Sequence, residues 1–428
     1  MAYTDCIFFC IGVLRMTLIS VGIDVSKGKS TVSARKWGDV VVMKPHDVHH
    51  TASALGELAD SLKKLGREVR VIMEHTGRYW LPVAQTLRDA GLFVCAVNPK
   101  LIRDFGDNKL RPLKTDKADS KKLARYGLKY WEDLIPYIPA EITRQKLLEF
   151  SRQLDSSNKL LTGLKNNLQA IVDVTFPGVR KLITSPARDD GHIKWVDFVC
   201  TFFHCDYVGK LGEEKFMERY RKWCKQHGYY FAAKGAAKIF AVAIDQVPCL
   251  PCDADTRLLI SQTAAQLTSV SAAVETWRAK LSELASTMPE YDCVMAMYGC
   301  GRTTGPQLMA EIGDPMRFAN KKSLVQFAGV APGDNQSGTY KAKSVKASKK
   351  GSPHLRKTLF QVMSTHLKHS PSDQPLYQFL DRKRAEGKLY YVYMTAGANK
   401  FLRRYYGAVR DFLAEQKPDS NNVGTSAA

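Results

Sequence analysis

Three short apolar segments near the start of the chain constrain its fold most, because each has strand length and each stops at a turn or a charge. Thr17 to Asp24 ends at a carboxylate, and Val69 to Met73 is followed directly by Glu74. Phe93 to Val97 stops at Asn98-Pro99. A segment with apolar residues at helical spacing, Trp80 to Ala90, separates the second and third strands. This alternation predicts an α/β domain with two carboxylates at strand exits.

Two further acids begin the next predicted helix. Asp116 and Asp119 lie in the stretch from Lys114 that leads into Ser120 to Leu128, which has helical composition. Residues three apart share one helix face, so we expect these two carboxylates to project together. The alternative is that each acid is a solvated charge, or that Asp116 is an N-cap.

Four carboxylates in one place repel one another, by about 4 kcal/mol for two charges ~4 Å apart at an effective dielectric near 20. Divalent cations remove that repulsion, and a set of oxygen ligands suits Mg²⁺ or Mn²⁺. Such ions can polarise a phosphodiester and activate the attacking oxygen. Asp24, Glu74, Asp116 and Asp119 are therefore the predicted metal ligands and catalytic acids.

A second candidate site lies far downstream, in the glycine- and proline-containing loop from Gly329 to Gly338. Ser337 stands there before a glycine, where it could occupy a tight, accessible turn as a nucleophile, although a loop serine is more often only a turn former. Cations follow, and they are predicted to hold nucleic-acid phosphates: Lys341, Lys343, Lys346, Lys349, Lys350, Arg356 and Lys357. Upstream, Gly299-Cys300-Gly301 precedes a helix continuing to Ile312, and such a turn can offer N–H groups to a phosphate.

These segments together resemble, in order, the transposases of the insertion-sequence-110 family. The resemblance covers two blocks, about residues 17–131 and 289–415. The residues that carry it are Gly22-Ile23-Asp24-Val25-Ser26-Lys27, Glu74-His75-Thr76-Gly77, Lys114-Thr115-Asp116-Lys117-Ala118-Asp119, Gly299-Cys300-Gly301, Arg317-Phe318, Phe327-Ala328-Gly329-Val330-Ala331-Pro332, Ser337-Gly338 and Lys350-Gly351-Ser352-Pro353-His354-Leu355-Arg356.

The resemblance implies a concrete fold and chemistry. It implies an RNase H-like (RuvC-like) α/β domain with a mixed sheet, whose DEDD acids bind Mg²⁺, and a mainly helical C-terminal transposase domain. The family's serine, which maps onto Ser337, attacks a DNA phosphate to give a covalent phosphoserine link. The partners implied are double-stranded donor and target DNA and a structured non-coding (bridge) RNA that guides recombination. The expected assembly is a homo-oligomer, a tetramer of two dimers.

Charge agrees with a polyanionic partner. The chain carries 63 Lys and Arg against 42 Asp and Glu, a net charge of +21, as many other nucleic-acid binders would. Ten unevenly spaced cysteines are typical of reduced cytosolic thiols. With the family resemblance, we expect a bacterial cytoplasmic protein associated with the nucleoid. The apolar run from Cys6 to Leu14 is too short to span a bilayer, which favours an N-terminal extension rather than membrane attachment.

Between the two blocks the chain changes character. Apolar residues at helical spacing from Glu141 to Val172, and again from Asp255 to Leu284, predict two long helices that form an antiparallel coiled coil, for spacing the domains or dimerising. They flank an insert, residues 176–254, in which Cys224-x-x-His227 and Cys249-x-x-Cys252 have zinc-pair spacing. Aromatic neighbours suit a small apolar core equally well, so zinc is not expected.

The expected organisation has five parts: an N-terminal extension (1–16), the α/β domain (17–131), the coiled-coil helices with their insert (132–290), the serine-bearing domain (291–415) and a disordered tail (416–428). Three other functions are alternatives. A metal-dependent Holliday-junction nuclease would share the acids but form no covalent intermediate, and a sugar-kinase-like ATPase would need a second phosphate loop that the sequence lacks. An RNA-binding scaffold would not need the acids.

Overall fold

The computed structural model describes residues 17–106, 115–332, 336–337, 340–341, 347 and 349–416, with only the backbone at 336–337 and 340–341. The chain divides into two compact units, Met1–Pro139 and Ala140–Ala428. The predicted N-terminal extension and all but the first residue of the predicted tail lie outside the described residues. No helix of the described ranges is long and apolar enough to cross a membrane.

The first unit contains a five-stranded mixed sheet with the order β3-β2-β1-β4-β5. Its strands are β1 (Ile19–Val25), β2 (Lys29–Lys36), β3 (Val40–His49), β4 (Val69–Glu74) and β5 (Phe93–Val97). β1 pairs antiparallel with β2 and parallel with β4, and β4 pairs parallel with β5. The predicted RNase H-like mixed sheet is confirmed.

Helices cover this sheet: α1 (Ala52–Lys64), α2 (Trp80–Asp89), α3 (Pro99–Gly106) and α4 (Asp116–Lys129). The three predicted strands and the helix after Trp80 are confirmed within a few residues. Sequence analysis did not predict β2 or β3. β2 buries Ser30, Thr31 and Ser33, and a strand with small hydroxyl side chains on the inside carries little apolar signal.

α4 lies directly on the central strand β1 because two glycines leave room for it. A Cβ at Gly22 would stand 2.0 Å from the carbonyl oxygen of Ser120 and 2.4 Å from the amide nitrogen of Ala124. A Cβ at Gly127 would stand 2.2 Å from Oγ of Ser20. The contact at Gly22 is with helix backbone, and the contact at Gly127 is with the side chains of Ser20 and Ile72. Neither position therefore has room for a side chain.

Two long helices organise the second unit: α5 (Ile142–Thr175) and α10 (Ala254–Ser286). They are antiparallel, since the N–H of Cys249, just before α10, donates to the carbonyl of Val174 at 2.8 Å, while the rings of Phe150 and Trp277 lie 5.8 Å apart. The predicted antiparallel helices are therefore confirmed, and their role in spacing or dimerisation stays a prediction.

The insert between them forms α6 (Lys194–Thr201), α7 (Cys205–Leu211), α8 (Glu213–Gln226) and α9 (Ala233–Asp245). Its core is aromatic: the rings of Phe198 and Phe202 stack at 4.9 Å, and those of Phe216 and Tyr220 at 5.7 Å. Cys224 is buried in this core, and His227 stacks on Trp223 at 4.6 Å. The expected small apolar core is confirmed.

Among the described residues, one trio of metal-type side chains has its ligand atoms within 4.8 Å of one another: His204, Cys205 and Asp206. Nδ1 of His204 accepts the Asp206 N–H at 3.1 Å, and its Nε2 lies 2.9 Å from the carbonyl of Leu250. Both ring nitrogens are thus already used in capping α7 and tying it to the segment before α10. Neither predicted zinc-type pair, Cys224 with His227 or Cys249 with Cys252, belongs to such a trio.

The rest of the second unit is mainly helical: α11 (Tyr291–Met295), α12 (Thr304–Ile312), α13 (Lys321–Ala328), α14 (Pro353–His369), α15 (Pro375–Ala385) and α16 (Tyr390–Glu415). A small hairpin, β6 (Gln336–Ser337) with β7 (Tyr340–Lys341), lies between α13 and α14. One apolar core runs through both the long helices and this C-terminal part, so the border expected at residue 290 stays a prediction.

The glycine contact yields a stability prediction with a matched control. Gly22→Ala should destabilise the protein by about 3 kcal/mol or more, because a methyl group there must push two backbones apart. Gly56→Ala, in α1 with nothing within 4 Å of the added Cβ, should be neutral or stabilising by up to about 1 kcal/mol. Denaturant unfolding measures both, and equal effects would contradict the close approach of α4.

Candidate active site

Two of the predicted acids leave the sheet at the same edge. Asp24 lies near the end of β1 and Glu74 is the last residue of β4. The two strands are parallel neighbours, with Ile23 opposite Met73 in the register. The carboxylates that follow in each strand are therefore adjacent across the sheet.

The other two acids stand at the start of α4. Thr115 is the N-cap, and its side-chain oxygen accepts the N–H of Ala118 at 3.2 Å. The alternative that Asp116 is the N-cap is therefore wrong. Asp116 and Asp119 lie in the first turn of α4, and because α4 rests on β1 at Gly22, that turn is held near the exit of β1.

Electrostatics show that the four acids share one environment. Burial raises the pKa of Asp24 to about 6, and the negative charges of Asp119, Asp116 and Glu74 add to the effect. Burial also raises the pKa of Glu74, with Asp119 adding to the rise, while the Thr76 hydroxyl and Lys122 oppose it. All four carboxylates thus lie close enough to interact by charge.

Two lysines lie close enough to interact with this cluster. Lys122 opposes the rise in the pKa of Glu74. Lys29, at the start of β2, pairs with Asp47 of β3 at 2.8 Å, and Thr31 donates to the same carboxylate at 2.7 Å. The bond to Asp47 raises the pKa of Lys29, and the charge of Asp116 adds to that rise.

The donor set fits a hard divalent cation such as Mg²⁺, since it offers only carboxylate oxygens. No three of these carboxylates have oxygens within 4.8 Å of one another in the described part of the chain. Binding of one ion by three of these carboxylates would therefore require their oxygens to move closer together.

The predicted nucleophile lies in the second unit. Ser337 is the last residue of β6 and faces Tyr340 across the hairpin. Its side chain and that of Lys341 are outside the described residues, as are Lys343 and Lys346 entirely. The assignment of Ser337 as the nucleophile stays a prediction.

The remaining predicted phosphate-binding cations differ in their surroundings. Lys349 and Lys350 are exposed. Arg356 donates through Nη1 to the carbonyls of Ala328 and Gly351, at 3.1 and 2.8 Å. The first two are therefore placed to meet an external anion, while Arg356 also holds the loop after α13 in place.

Sequence analysis missed a buried acidic centre next to these cations. Asp155, within α5, accepts from Lys357 at 2.6 Å, from Nδ1 of His354 at 3.0 Å and from Gln307 at 3.3 Å. Burial would raise the pKa of Asp155, but the bonds from His354 and Lys357 outweigh it and lower the pKa. The sequence signal that could have indicated a buried acid here is the position of Asp155 next to Leu154, one of the apolar positions of α5.

A second buried carboxylate, Glu311 of α12, accepts from Ser352 at 3.2 Å and from Arg152 at 3.4 Å. Together the two acids fasten the start of α14 to α5 and α12. In the Gly-x-Gly turn before α12, the N–H of Gly301 donates to Thr304 at 2.9 Å. That donor, predicted for a phosphate, is used within the turn.

Two family models match this chain in order. A transposase model, DEDD_Tnp_IS110, matches residues 21–177 and thus spans all four acids. The model of the transposase IS116/IS110/IS902 family matches residues 291–378 and includes Ser337. Most of the insert lies outside both matches.

Curated relatives agree. The chain is similar to the insertion element IS110 uncharacterized 43.6 kDa protein of Streptomyces coelicolor. The two are 22% identical over 334 residues, and this aligned segment covers 76% of this chain and 77% of the relative. This chain is 22% and 23% identical to the pilin gene-inverting proteins of Moraxella bovis and Moraxella lacunata, over 80% of each chain. The two ordered family matches and the IS110 relative lead to one conclusion: the chain belongs to the IS110 family of transposases.

Proposed function

We propose that this transposase catalyses RNA-guided, Mg²⁺-dependent, site-specific DNA cleavage and rejoining through a covalent phosphoserine at Ser337. The observation that carries the proposal is the placement of Asp24 and Glu74 at the ends of two parallel strands, with Asp116 and Asp119 in the first turn of the helix that rests on β1. Burial raises the pKa of Asp24, and the charges of the other three acids add to the rise, as is typical of a site that binds a cation.

The four acids would hold Mg²⁺, or Mn²⁺ in its place. When bound, the ion supplies Lewis-acid polarisation of the phosphate and stabilises the attacking oxygen as it loses its proton. The contribution of the chain is to fix the ligands: β1 and β4 fix Asp24 and Glu74, and the first turn of α4 fixes the other two.

The serine step conserves the free energy of the phosphodiester bond that it breaks, because a new phosphate ester forms at the serine. Oγ of Ser337 attacks phosphorus, a P–Oγ bond forms, and one P–O bond to the DNA sugar breaks. The serine proton passes to the departing oxygen, which becomes a strand-end hydroxyl. Attack by the hydroxyl of another strand reverses the step, so rejoining needs no ATP.

Guidance by an RNA that pairs with donor and target DNA, and assembly into a tetramer of two dimers, follow from the family resemblance. The pilin gene-inverting relatives are named for inverting a gene, and site-specific inversion requires both cleavage and rejoining. Their names support recombination rather than cleavage alone.

Removal of any acid should stop chemistry and spare binding. Asp24→Asn, Glu74→Gln, Asp116→Asn or Asp119→Asn should each lower strand cleavage by about a hundredfold or more, because a ligand charge is lost while the fold is kept. Cleavage of labelled DNA in Mg²⁺ and gel-shift binding measure the two effects. Asp60→Asn, which changes an exposed acid of α1, should cleave normally. Full cleavage by one of the four variants would remove that residue from the site.

The raised pKa of Asp24 also predicts how the stability of the fold depends on pH, and this can be measured without a cleavage assay. Because folding raises its pKa from 3.8 to about 6, the folded state binds this proton more tightly than the unfolded state, and the resulting stability is lost as pH rises from about 4 through 6. Without Mg²⁺ at pH 8, Asp24→Asn should therefore melt higher than the wild type. Mg²⁺ should raise the melting midpoint of the wild type and hardly that of the variant. Equal Mg²⁺ shifts would contradict metal binding at Asp24.

Replacement of the nucleophile separates this proposal from a metal-dependent nuclease. Ser337→Ala should abolish both the denaturant-resistant DNA adduct and recombination, because no other group would take the phosphate, and it should keep DNA binding. Ser344→Ala and Ser348→Ala serve as controls that should retain the adduct. Strand cleavage that persists in Ser337→Ala without any adduct would favour the nuclease, and a persisting adduct would move the nucleophile to another residue.

A further inference from the structure

A pocket of about 340 Å³ opens in the second unit beside three of the predicted phosphate-binding cations. Its lining includes Lys349, Arg356, Lys357, Phe360, Tyr391 and Thr395. The lining combines three cations with two aromatic rings. At this volume the pocket lies at the small end of ligand sites, so it suits one nucleoside rather than a helix.

The pocket lies at the base of the Ser337 hairpin. Pro332 and Ala347 form a bridge across the two arms of the loop, and the N–H of Lys349 donates to the carbonyl of Gly329 at 3.2 Å. Ser337 is the fifth residue after Pro332, a reach of at most about 17 Å in extended chain. A strand bound at Ser337 therefore passes within a few nucleotides of the pocket.

An unusually exposed aromatic ring stands at its mouth. Tyr391 is 73% exposed, and Leu389 beside it is 77% exposed. The ring of Tyr391 meets Phe360 with 6.2 Å between centroids and planes tilted by 43°. Tyr390 meets the ring of Tyr391 edge-on at 5.3 Å, and the high exposure of Tyr391 shows that ring surface stays open. Leu389, Tyr390 and Val392 are exposed beside it, and a contiguous apolar patch of this kind marks a binding site.

The cations give the pocket its charge preference. Lys349 is exposed, Arg356 is fixed by two backbone carbonyls, and Lys357 is held by Asp155. Asp155 offsets one of the three positive charges. The excess of positive charge beside open aromatic surface is the combination that binds the backbone and bases of a single strand.

We propose that this pocket takes one unstacked base of single-stranded DNA close to the strand joined to Ser337. The base stacks on Tyr391 above Phe360, and the adjoining phosphates lie against Lys349 and Lys357. The choice of DNA over RNA rests on the proposed function, since the hairpin at the mouth carries the proposed nucleophile of a DNA phosphate.

Recognition there is independent of base identity. The hydroxyl of Thr395 donates to the carbonyl of Tyr391, Arg356 donates to two carbonyls, and Lys357 donates to Asp155. Thr395 and Arg356 thus have partners within the fold, while Lys349 and the ammonium donors of Lys357 that Asp155 does not use serve the phosphates. What remains for the base is a ring face. Every base offers a π-face, so all four should bind with similar affinity.

Photo-crosslinking of the full-length protein tests this directly. A short single-stranded oligothymidylate that carries one 5-iodouracil should crosslink to Tyr391 or Phe360, as peptide mass spectrometry would show. Tyr391→Ala should weaken oligothymidylate binding about five- to hundredfold, the range of base–aromatic stacking. Tyr391→Phe should bind like the wild type. Tyr230→Ala, which removes a tyrosine that is 84% exposed in the insert, is the matched control and should leave affinity unchanged.

An abasic oligonucleotide of the same length separates stacking from a change in the fold. The penalty of Tyr391→Ala should vanish on the abasic strand, because no base remains to be stacked. An equal penalty on both strands, crosslinks that avoid both rings, or stronger crosslinking to oligouridylate than to oligothymidylate would each overturn the proposal.

The assay needs no cleavage and can be repeated on Ser337→Ala. A crosslink at Tyr391 in both proteins, together with no covalent adduct in the wild type, would reject the nucleophile and keep the pocket. A covalent adduct at Ser337 without crosslinks at either ring would support the nucleophile and reject the pocket.

Discussion

The direct contact of α4 with β1 at Gly22 is the constraint on which the acidic site depends. Without a side chain at Gly22, the helix backbone reaches the strand so closely that a Cβ there would stand only 2.0 Å from the Ser120 oxygen. That contact fixes where α4 begins, and thus where Asp116 and Asp119 stand relative to the exit of β1. A helix resting one side chain farther from the sheet would hold those two acids farther from Asp24, and the like-charge coupling would weaken with distance.

The two units treat buried carboxylates in opposite ways. In the second unit each has a partner: Glu290 forms a two-bond pair with Arg144, at 2.5 and 2.9 Å, and Asp155 accepts from Lys357 and His354. These acids join helices far apart in sequence. In the first unit Asp24 is half-buried among other acids, and its pKa rises instead of falling. A carboxylate held among like charges contributes to binding at the expense of stability.

The parts of the fold with strong apolar periodicity could be predicted from the sequence. These are β1, β4 and β5 and the two long helices, because apolar residues at strand or helix spacing define them. β2 could not, since three of its buried residues are Ser30, Thr31 and Ser33, and these hydroxyl side chains interrupt the apolar signal of Val32 and Ala34. The strand exits placed Asp24 and Glu74 correctly, but the raised pKa of Asp24 depends on distances across three elements. No sequence pattern contains those distances. The buried site at Asp155 could not be predicted for the same reason, since the residues that bond to Asp155 lie about 150 to 200 residues away in the sequence.

The antiparallel arrangement of α5 and α10 makes the insert modular. Because the N–H of Cys249 bonds to the carbonyl of Val174, the insert leaves and rejoins the helical pair at neighbouring points. A shorter relative could close that gap with a tight turn and keep both helices on the same course. It would also uncover the side of α10 at Ala272, where Gly191 now lies in close contact. Gain or loss of the insert would thus cover or uncover this side of α10, while both family-matched regions would stay intact.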